Sequence, residues 1–130
     1  MSIEGFYAQF TGLERVPATL QEWRVIPETE LAACTNGKVF VDPLGDFSRR
    51  RKTLLAYYPE DVRLKKIAAR CMSAGQSGQY NYGRCVRRGE YVAARYAETR
   101  FIADVIALVF HLNRRYRPFY KWMHRVLADL

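Results

Sequence analysis

The chain has 130 residues, of which 49% are hydrophobic and 26% are charged; it is long enough for one domain with a real core, and this composition excludes a disordered chain. Lysine and arginine outnumber aspartate and glutamate by 21 to 13, so the net charge is +8. This excess favours anionic partners, namely nucleotides, nucleic acid or the acidic face of another protein, although a solvated basic surface is the alternative.

The three cysteines do not form a disulfide framework, because their number is odd and no C-x-x-C pair occurs. A reducing, cytoplasmic location is therefore expected. The N-terminal segment is interrupted by polar residues and does not resemble a signal peptide. The longest apolar stretch, residues 102–112, contains Asp104 and is too short to span a bilayer, so we expect no membrane contact.

The first third of the chain predicts short helices. Residues 3–12 are rich in aromatic side chains and predict a helix that ends near Gly12. Thr19 is a start signal for a turn of helix through Trp23. Pro27 and the acids after it suit the first turn of a third helix, which ends at Asn36 and the following glycine.

The middle of the chain contains the one clear strand candidate, residues 38–41. Residues 42–45 form a turn signal, and Asp46 with Phe47 is the predicted return strand of a small β-hairpin. Ser48 is the predicted N-cap of a basic helix that begins at Arg49.

The second half of the chain predicts longer helices. Pro59 begins one that runs to about Met72, residues 73–78 are a loop or hinge, and a helix over residues 79–88 follows. A long helix then extends from Glu90 to about Arg115, and a final helix covers residues 119–130.

Apolar residues on the long helix predict its buried face. They are Phe101, Val105, Leu108 and Leu112. The predicted fold class is mainly α: a helical bundle with one long central helix and a small β-hairpin, in a single domain of residues 1–130 whose first 19 residues are a lead-in.

Two clusters of residues are candidates for ligand binding. The first, on the helix at residues 79–88, combines aromatic, amide and cationic side chains, and its members are Tyr80, Asn81, Arg84 and Arg88. Such a set suits a phosphorylated or aromatic ligand, whereas the alternative is a solvated basic helix whose tyrosines cover the edge of the core.

The second cluster lies at the end of the long helix and comprises Asn113, Tyr116 and Lys121, with Trp122 beside them. Lys121 is a candidate for a phosphate contact. The alternative is that Tyr116 and Trp122 are core residues and Lys121 is a surface charge.

Other polar residues have simpler interpretations. The basic run of residues 49–52 is a solvated face, a nucleic-acid contact or a docking site for an acidic partner. Arg95 and Glu98 are predicted to form an ion pair one helical turn apart, and His111 a local hydrogen bond. Two histidines and three scattered cysteines offer no metal-ligand spacing, so no metal site is expected.

The succession of short motifs along the chain resembles one bacterial family. The motifs are Trp23…Ile26-Pro27-Glu28, Asn36-Gly37-Lys38-Val39-Phe40, Asp42…Gly45, Arg51, Tyr58-Pro59-Glu60-Asp61-Val62, Gln79-Tyr80-Asn81-Tyr82…Arg84 and Leu112-Asn113-Arg114…Tyr116…Pro118…Lys121-Trp122. In this order they resemble the nucleotidyltransferase-like proteins of domain-of-unknown-function family 4037, over about residues 20–125.

The resemblance implies that this chain is the C-terminal helical part of a two-part protein, in which it closes a nucleotide-bearing cleft and contacts the substrate. It also implies an N-terminal module with a Gly-Ser turn and paired carboxylates for Mg²⁺. The chain lacks that pattern, since the segment from Gly45 to Ser48 does not fit it. Two explanations stay open: the chain is a fragment, which we favour, or a stand-alone remnant that acts by binding beside a separately encoded catalytic partner. In both cases we expect no activity alone, no cofactor of its own, and Mg²⁺ only together with a catalytic partner module.

The function predicted from the sequence is thus that of a nucleotide-binding accessory domain, with both clusters facing the nucleotide. The expected partners are a nucleotide or other anionic ligand, a catalytic nucleotidyltransferase module, and a second copy of the chain. Two alternatives stay open: a basic nucleic-acid-binding or helical ribonuclease-type module, and a protein–protein interaction domain that dimerises.

Overall fold

The structure is a computed structural model and describes residues 2–130. Its α-helices are α1 (Ile3–Thr11), α2 (Leu20–Val25), α3 (Glu28–Thr35), α4 (Asp46–Leu55), α5 (Glu60–Ala74), α6 (Gly83–Arg87), α7 (Tyr91–Leu112) and α8 (Tyr120–Ala128). A π-helix, Gly75–Tyr82, joins α5 to α6. Helix accounts for 71% of the chain and strand for none of residues 2–130, which confirms the mainly α prediction.

The predicted β-hairpin is wrong. The turn at residues 42–45 is present, and Gly45 closes it with a φ of 72° that suits glycine. However, the Asp42 carboxylate accepts a hydrogen bond from the backbone N–H of Ser48 at 2.7 Å, so the turn leads directly into α4. The intended return strand therefore forms the first turn of α4, and Ser48 is not the N-cap, because α4 begins at Asp46.

The N-terminal helices surround an aromatic core. Its buried members are Tyr7, Trp23, Ile26, Leu31, Cys34, Leu54, Tyr57, Tyr58, Val62 and Tyr116. The Tyr116 ring lies 4.8 Å from Tyr57 and 5.2 Å from Tyr58, and its hydroxyl donates to the backbone oxygen of Leu54 at 2.7 Å. The segment that follows α7 is therefore anchored in the core of the N-terminal helices.

Helix α7 packs through small residues, not through the predicted stripe. Its buried positions are Ala94, Ala97, Asp104, Ala107, Phe110 and His111. Phe101, Val105 and Leu112 are exposed, with Leu112 at 64%. Alanines allow the neighbouring α5 and π-helix to approach closely, and the buried carboxylate of Asp104 accepts a hydrogen bond from Arg70 of α5 at 2.9 Å.

The predicted loop at residues 73–78 is helical. Helix α5 continues to Ala74, and the backbone then passes into the π-helix without a break. A Cβ atom added to Gly78 would lie 2.5 Å from Cδ2 of Phe101, so glycine is required by the close approach of the π-helix to α7. Of the two glycines that suggested a loop, Gly78 is thus explained by packing.

Candidate functional site

A groove with a volume of about 790 Å³ lies between α3, α4 and the segment that leads into α8. Its lining residues are Thr29, Ala32, Ala33, Thr35, Asn36, Gly37, Arg51, Leu55, Arg114, Arg115, Tyr116, Pro118, Phe119, Trp122, Arg125 and Val126. Within residues 2–130 the lining includes four arginines and no carboxylate. The groove is therefore a positively charged recess with aromatic walls.

The chain reversal after α7 builds one wall of this groove. Arg114 takes a left-handed backbone conformation with a φ of 52°, and the backbone N–H of Arg115 donates to the oxygen of Phe110 at 3.0 Å. Pro118 and the residue after it then start α8. Trp122 and Arg125 are three residues apart on α8 and therefore share the face that lines the groove.

Three of the four groove arginines are held in place, each in a different way. Arg51 donates from Nη2 to the backbone oxygen of Gly37 at 2.8 Å, and its buried Nε has no partner among residues 2–130. Arg114 pairs with Glu60 at 2.9 Å at the rim. The guanidinium of Arg125 lies 5.1 Å from the centre of the Trp122 ring. These fixed cations can receive an anion at the cost of little further ordering.

A buried polar network lies behind the groove wall that is formed by the segment after α7. The Glu28 carboxylate accepts a hydrogen bond from the backbone N–H of Arg117 at 2.9 Å, and burial raises the pKa of this carboxyl above its ordinary value. His111 Nδ1 lies 2.8 Å from the Tyr57 hydroxyl and 3.8 Å from Glu28. This bond of His111 joins α7 to the end of α4, so the predicted local hydrogen bond is wrong.

Burial, together with nearby cations such as Lys66, lowers the pKa of His111 to about 4. The imidazole is therefore neutral at pH 7, and its approach to Glu28 is not an ion pair under that condition. Neutral histidine and buried carboxylate hold α3, α7 and the Arg117 segment together. Their role in the structure is to position the groove wall.

The second predicted cluster lies near the groove, but only one of its three residues, Tyr116, lines it. Tyr116 contributes to the lining, although it is only 9% exposed and its hydroxyl is used in the core. Asn113 ends α7 and donates from its side chain to the backbone oxygen of Val109 at 2.8 Å. Lys121 is exposed on α8, beside Trp122 but outside the lining.

The first predicted cluster lies elsewhere. Tyr80 and Arg84 pair with each other through a hydrogen bond and a stacked guanidinium 4.6 Å from the ring centre. Asn81 lines a separate cleft beside α7, and Arg88 is exposed at the end of α6. The last residue of α7 that lines this cleft is Arg100. Along the helix axis, Arg100 lies about 18 Å from the C-terminal end of α7, where the second cluster begins. The two clusters therefore do not form one surface.

The four groove arginines and Phe119 were not among the nucleotide-binding residues predicted from the sequence. The three-residue spacing of Trp122 and Arg125 on a helix was a usable signal for their shared face. No such signal existed for Arg51, which is one of four consecutive cations, because only the tertiary packing of α4 against α3 selects it. The predicted Arg95–Glu98 ion pair is confirmed, with a distance of 2.8 Å.

Within residues 2–130, no group of three or more histidine, cysteine, aspartate or glutamate side chains is arranged to hold a metal ion. Over the same residues, none of the helices combines the length and apolar character that a transmembrane span requires.

This helical fold carries two polar recesses, at opposite ends of α7. The chain belongs to the family described as "Domain of unknown function (DUF4037)", whose model matches residues 23–123. No curated protein and no solved structure matches the chain significantly.

Proposed function

We propose that this chain is an accessory helical domain that binds a nucleotide through its phosphates in the groove between α3 and α8. The proposal rests on one observation, which is that four arginine side chains line one recess with no carboxylate among the lining residues of 2–130. Guanidinium groups bind phosphate through paired hydrogen bonds. An anion in the groove would also relieve the repulsion between the cations.

The aromatic side chains of the groove support a nucleotide over a simple phosphate. Phe119 and Trp122 are each 52% exposed, so part of each ring is accessible to a base. Arg125 already stacks on Trp122, which provides a cation beside the aromatic surface. The volume of about 790 Å³ is in the range of small-molecule sites.

The catalytic step is assigned in this proposal to a separate nucleotidyltransferase module, which would supply the carboxylates and bind Mg²⁺. That module and a second copy of the chain are the proposed protein partners. Phe40, Val41 and Leu44 are more than 80% exposed and are the apolar surface such a partner would cover. Cys34, Cys71 and Cys85 are all free thiols, which supports the proposed cytoplasmic location.

The test is a calorimetric titration of the full chain with ATP, ADP, AMP, adenosine and pyrophosphate. We expect affinity to decrease in the order ATP, ADP, AMP, and adenosine to bind least, because the arginines contact phosphate. Arg115→Ala and Arg125→Ala should each weaken ATP binding about tenfold, since a hydrogen bond to a charged group contributes about 1.5–3 kcal/mol. Lys65→Ala, an exposed cation on α5 outside the groove, is the matched control.

Equal binding of ATP by the groove variants and by Lys65→Ala would disprove the site. Adenosine binding as tightly as ATP would disprove the role of the phosphates. Lys121→Ala and Asn113→Ala test the residues predicted from the sequence: a loss of affinity adds them to the site, and no loss removes them. Changes in Trp122 fluorescence give an independent readout, because the other tryptophan, Trp23, is buried.

A further inference from the structure

A second recess lies between the π-helix, α6 and α7 and has a volume of about 330 Å³. Its lining residues are Ser73, Gln76, Ser77, Asn81, Cys85, Ala93, Tyr96, Ala97 and Arg100. The recess is called the π-cleft here. It contains two carboxamides, an aromatic ring and a guanidinium, and within residues 2–130 its lining includes no carboxylate.

The polar groups of the π-cleft have hydrogen-bond donors and acceptors that are free to bind a ligand. Nη2 of Arg100 approaches Oγ of Ser73 only at 3.5 Å, which is the limit for a hydrogen bond, so most of its donors are free to bind other groups. Gln76 and Asn81 each carry two donors and one acceptor, which is the set that reads the edge of a nucleobase. Tyr96 is 66% exposed and presents a ring face beside them.

The backbone geometry explains why the π-cleft exists. A π-helix has a wider turn than an α-helix, and such turns are frequent at functional sites. Here the π-helix packs closely against α7 at Gly78, and the Phe101 ring occupies the space that a side chain at position 78 would need. The π-helix contacts α7 at this point, and the cleft lies alongside the contact.

The surface around the π-cleft is cationic and aromatic. Tyr80 and Arg84 precede Asn81 and Cys85 by one residue and lie beside the cleft as a stacked pair, with the guanidinium 4.6 Å from the ring centre. Between residues 79 and 101 there are five arginines and two glutamates, and four tyrosines. One of those glutamates, Glu98, is already paired with Arg95.

We propose that the π-cleft and its flank bind single-stranded nucleic acid, with one base held against Tyr96 and the backbone phosphates held by Arg100 and Arg84. Alternating aromatic faces and cations are the usual means of binding an unpaired strand. A duplex hides its base faces, so its bases cannot stack on Tyr96. The aspartate and glutamate side chains of an acidic peptide have no ring to stack on Tyr96, whereas a nucleic-acid strand supplies both an anion and a ring at every nucleotide.

This inference is independent of the nucleotide proposal, because the π-cleft and the arginine groove share no lining residue. The groove binds one nucleotide by its phosphates, whereas the flank of the π-cleft extends over α6 and the first half of α7. The five arginines of that region can follow a strand of several nucleotides. The two proposals can therefore fail separately.

The experiment is a fluorescence anisotropy titration of the full chain with labelled twelve-nucleotide oligo(U), oligo(dT) and a twelve-base-pair duplex, over a series of salt concentrations. We expect both single strands to bind more tightly than the duplex, and affinity to fall steeply with salt. Tyr96→Ala should weaken strand binding about tenfold, because stacking on one aromatic ring contributes about 1–3 kcal/mol per base. Tyr96→Phe should bind as the wild type does.

Tyr120→Ala is the matched control, since Tyr120 is 63% exposed on α8, outside both the cleft and its flank. Arg100→Gln should reduce affinity and the salt dependence together, whereas Arg115→Ala in the groove should change neither. Circular dichroism checks that each variant is folded. Equal losses in Tyr120→Ala and Tyr96→Ala, equal binding of duplex, equal competition by polyglutamate, or no strand binding at all would each overturn the proposal. A preference between oligo(U) and oligo(dT) identifies the type of strand.

Discussion

Tyrosine has opposite roles at the two ends of this molecule. Near the arginine groove, Tyr57 and Tyr116 are buried, and their hydroxyls are bonded to His111 and to the Leu54 backbone. Around the π-cleft, Tyr80 and Tyr96 are 57% and 66% exposed. The same side chain therefore stabilises the fold at one end and is exposed to solvent at the other, and the tertiary contacts of each ring decide which.

The largest expected effect comes from deleting a buried ring. Tyr116→Ala removes two ring contacts and leaves a cavity, so we expect it to lower the free energy of unfolding by about 3–5 kcal/mol. Urea denaturation measures this change. Tyr96→Ala, at the other end, should stay within about 0.5 kcal/mol of the wild type because its ring is exposed. A stable Tyr116→Ala protein that lost ATP binding would instead make Tyr116 a ligand residue.

The second-largest expected change is a loss of stability at low pH, which arises in the buried network of His111 and Glu28. The unfolded chain protonates His111 near its ordinary pKa of 6.5, whereas the folded protein does so only near 4, so stability should fall as pH decreases between these values. The loss should approach about 3 kcal/mol. Glu28 opposes it, because a carboxyl with a raised pKa favours the folded state at low pH.

His111→Gln separates the two contributions, since glutamine can still accept the Tyr57 hydrogen bond but does not titrate. Urea denaturation at pH 7 and pH 4.5 should show a smaller loss of stability in this variant than in the wild type. Identical losses in both proteins would show that His111 is not the group responsible.

The smallest expected change in stability comes from a substitution at the contact between the π-helix and α7. Gly78→Ala places a Cβ 2.5 Å from the Phe101 ring and should cost about 1–2 kcal/mol, because the half-exposed ring can turn only partly aside. Gly75→Ala meets nothing within 4 Å and should be neutral or slightly stabilising in thermal denaturation. Adding Phe101→Ala to Gly78→Ala should recover part of the loss, and no recovery would contradict the proposed clash.

Local rules predicted much of the helical framework but not its contacts. The start signals at Thr19 and Pro59, the turn before α4 and the Arg95–Glu98 pair depend on residues close in sequence, and they were predictable. The hairpin prediction was wrong because Asp42 caps α4 with its side chain. The buried alanine face of α7 was missed because close packing of α5 and the π-helix, not hydrophobicity, selects it.

The candidate site was predicted less well, for the same reason. Tyr116 was recognised as part of a cluster, yet two of the cations that join it in the groove, Arg51 and Arg125, come from α4 and α8 and meet it only after folding. Asn81 was recognised from its aromatic and cationic neighbours, whereas Tyr96 and Arg100, which complete its cleft, are on another helix. Sequence patterns within one helix cannot show which second helix lies opposite.

The backbone from Glu60 to Arg87 is one uninterrupted helical rod, with the π-helix in its middle. Its glycines and serines give that middle part the composition of a flexible linker, for which changes of length would be harmless. In this fold, removing a single residue between 75 and 80 would rotate everything downstream by roughly a quarter of a turn about the rod axis. Asn81 would then turn away from Tyr96, so a segment that looks expendable is intolerant of any insertion or deletion.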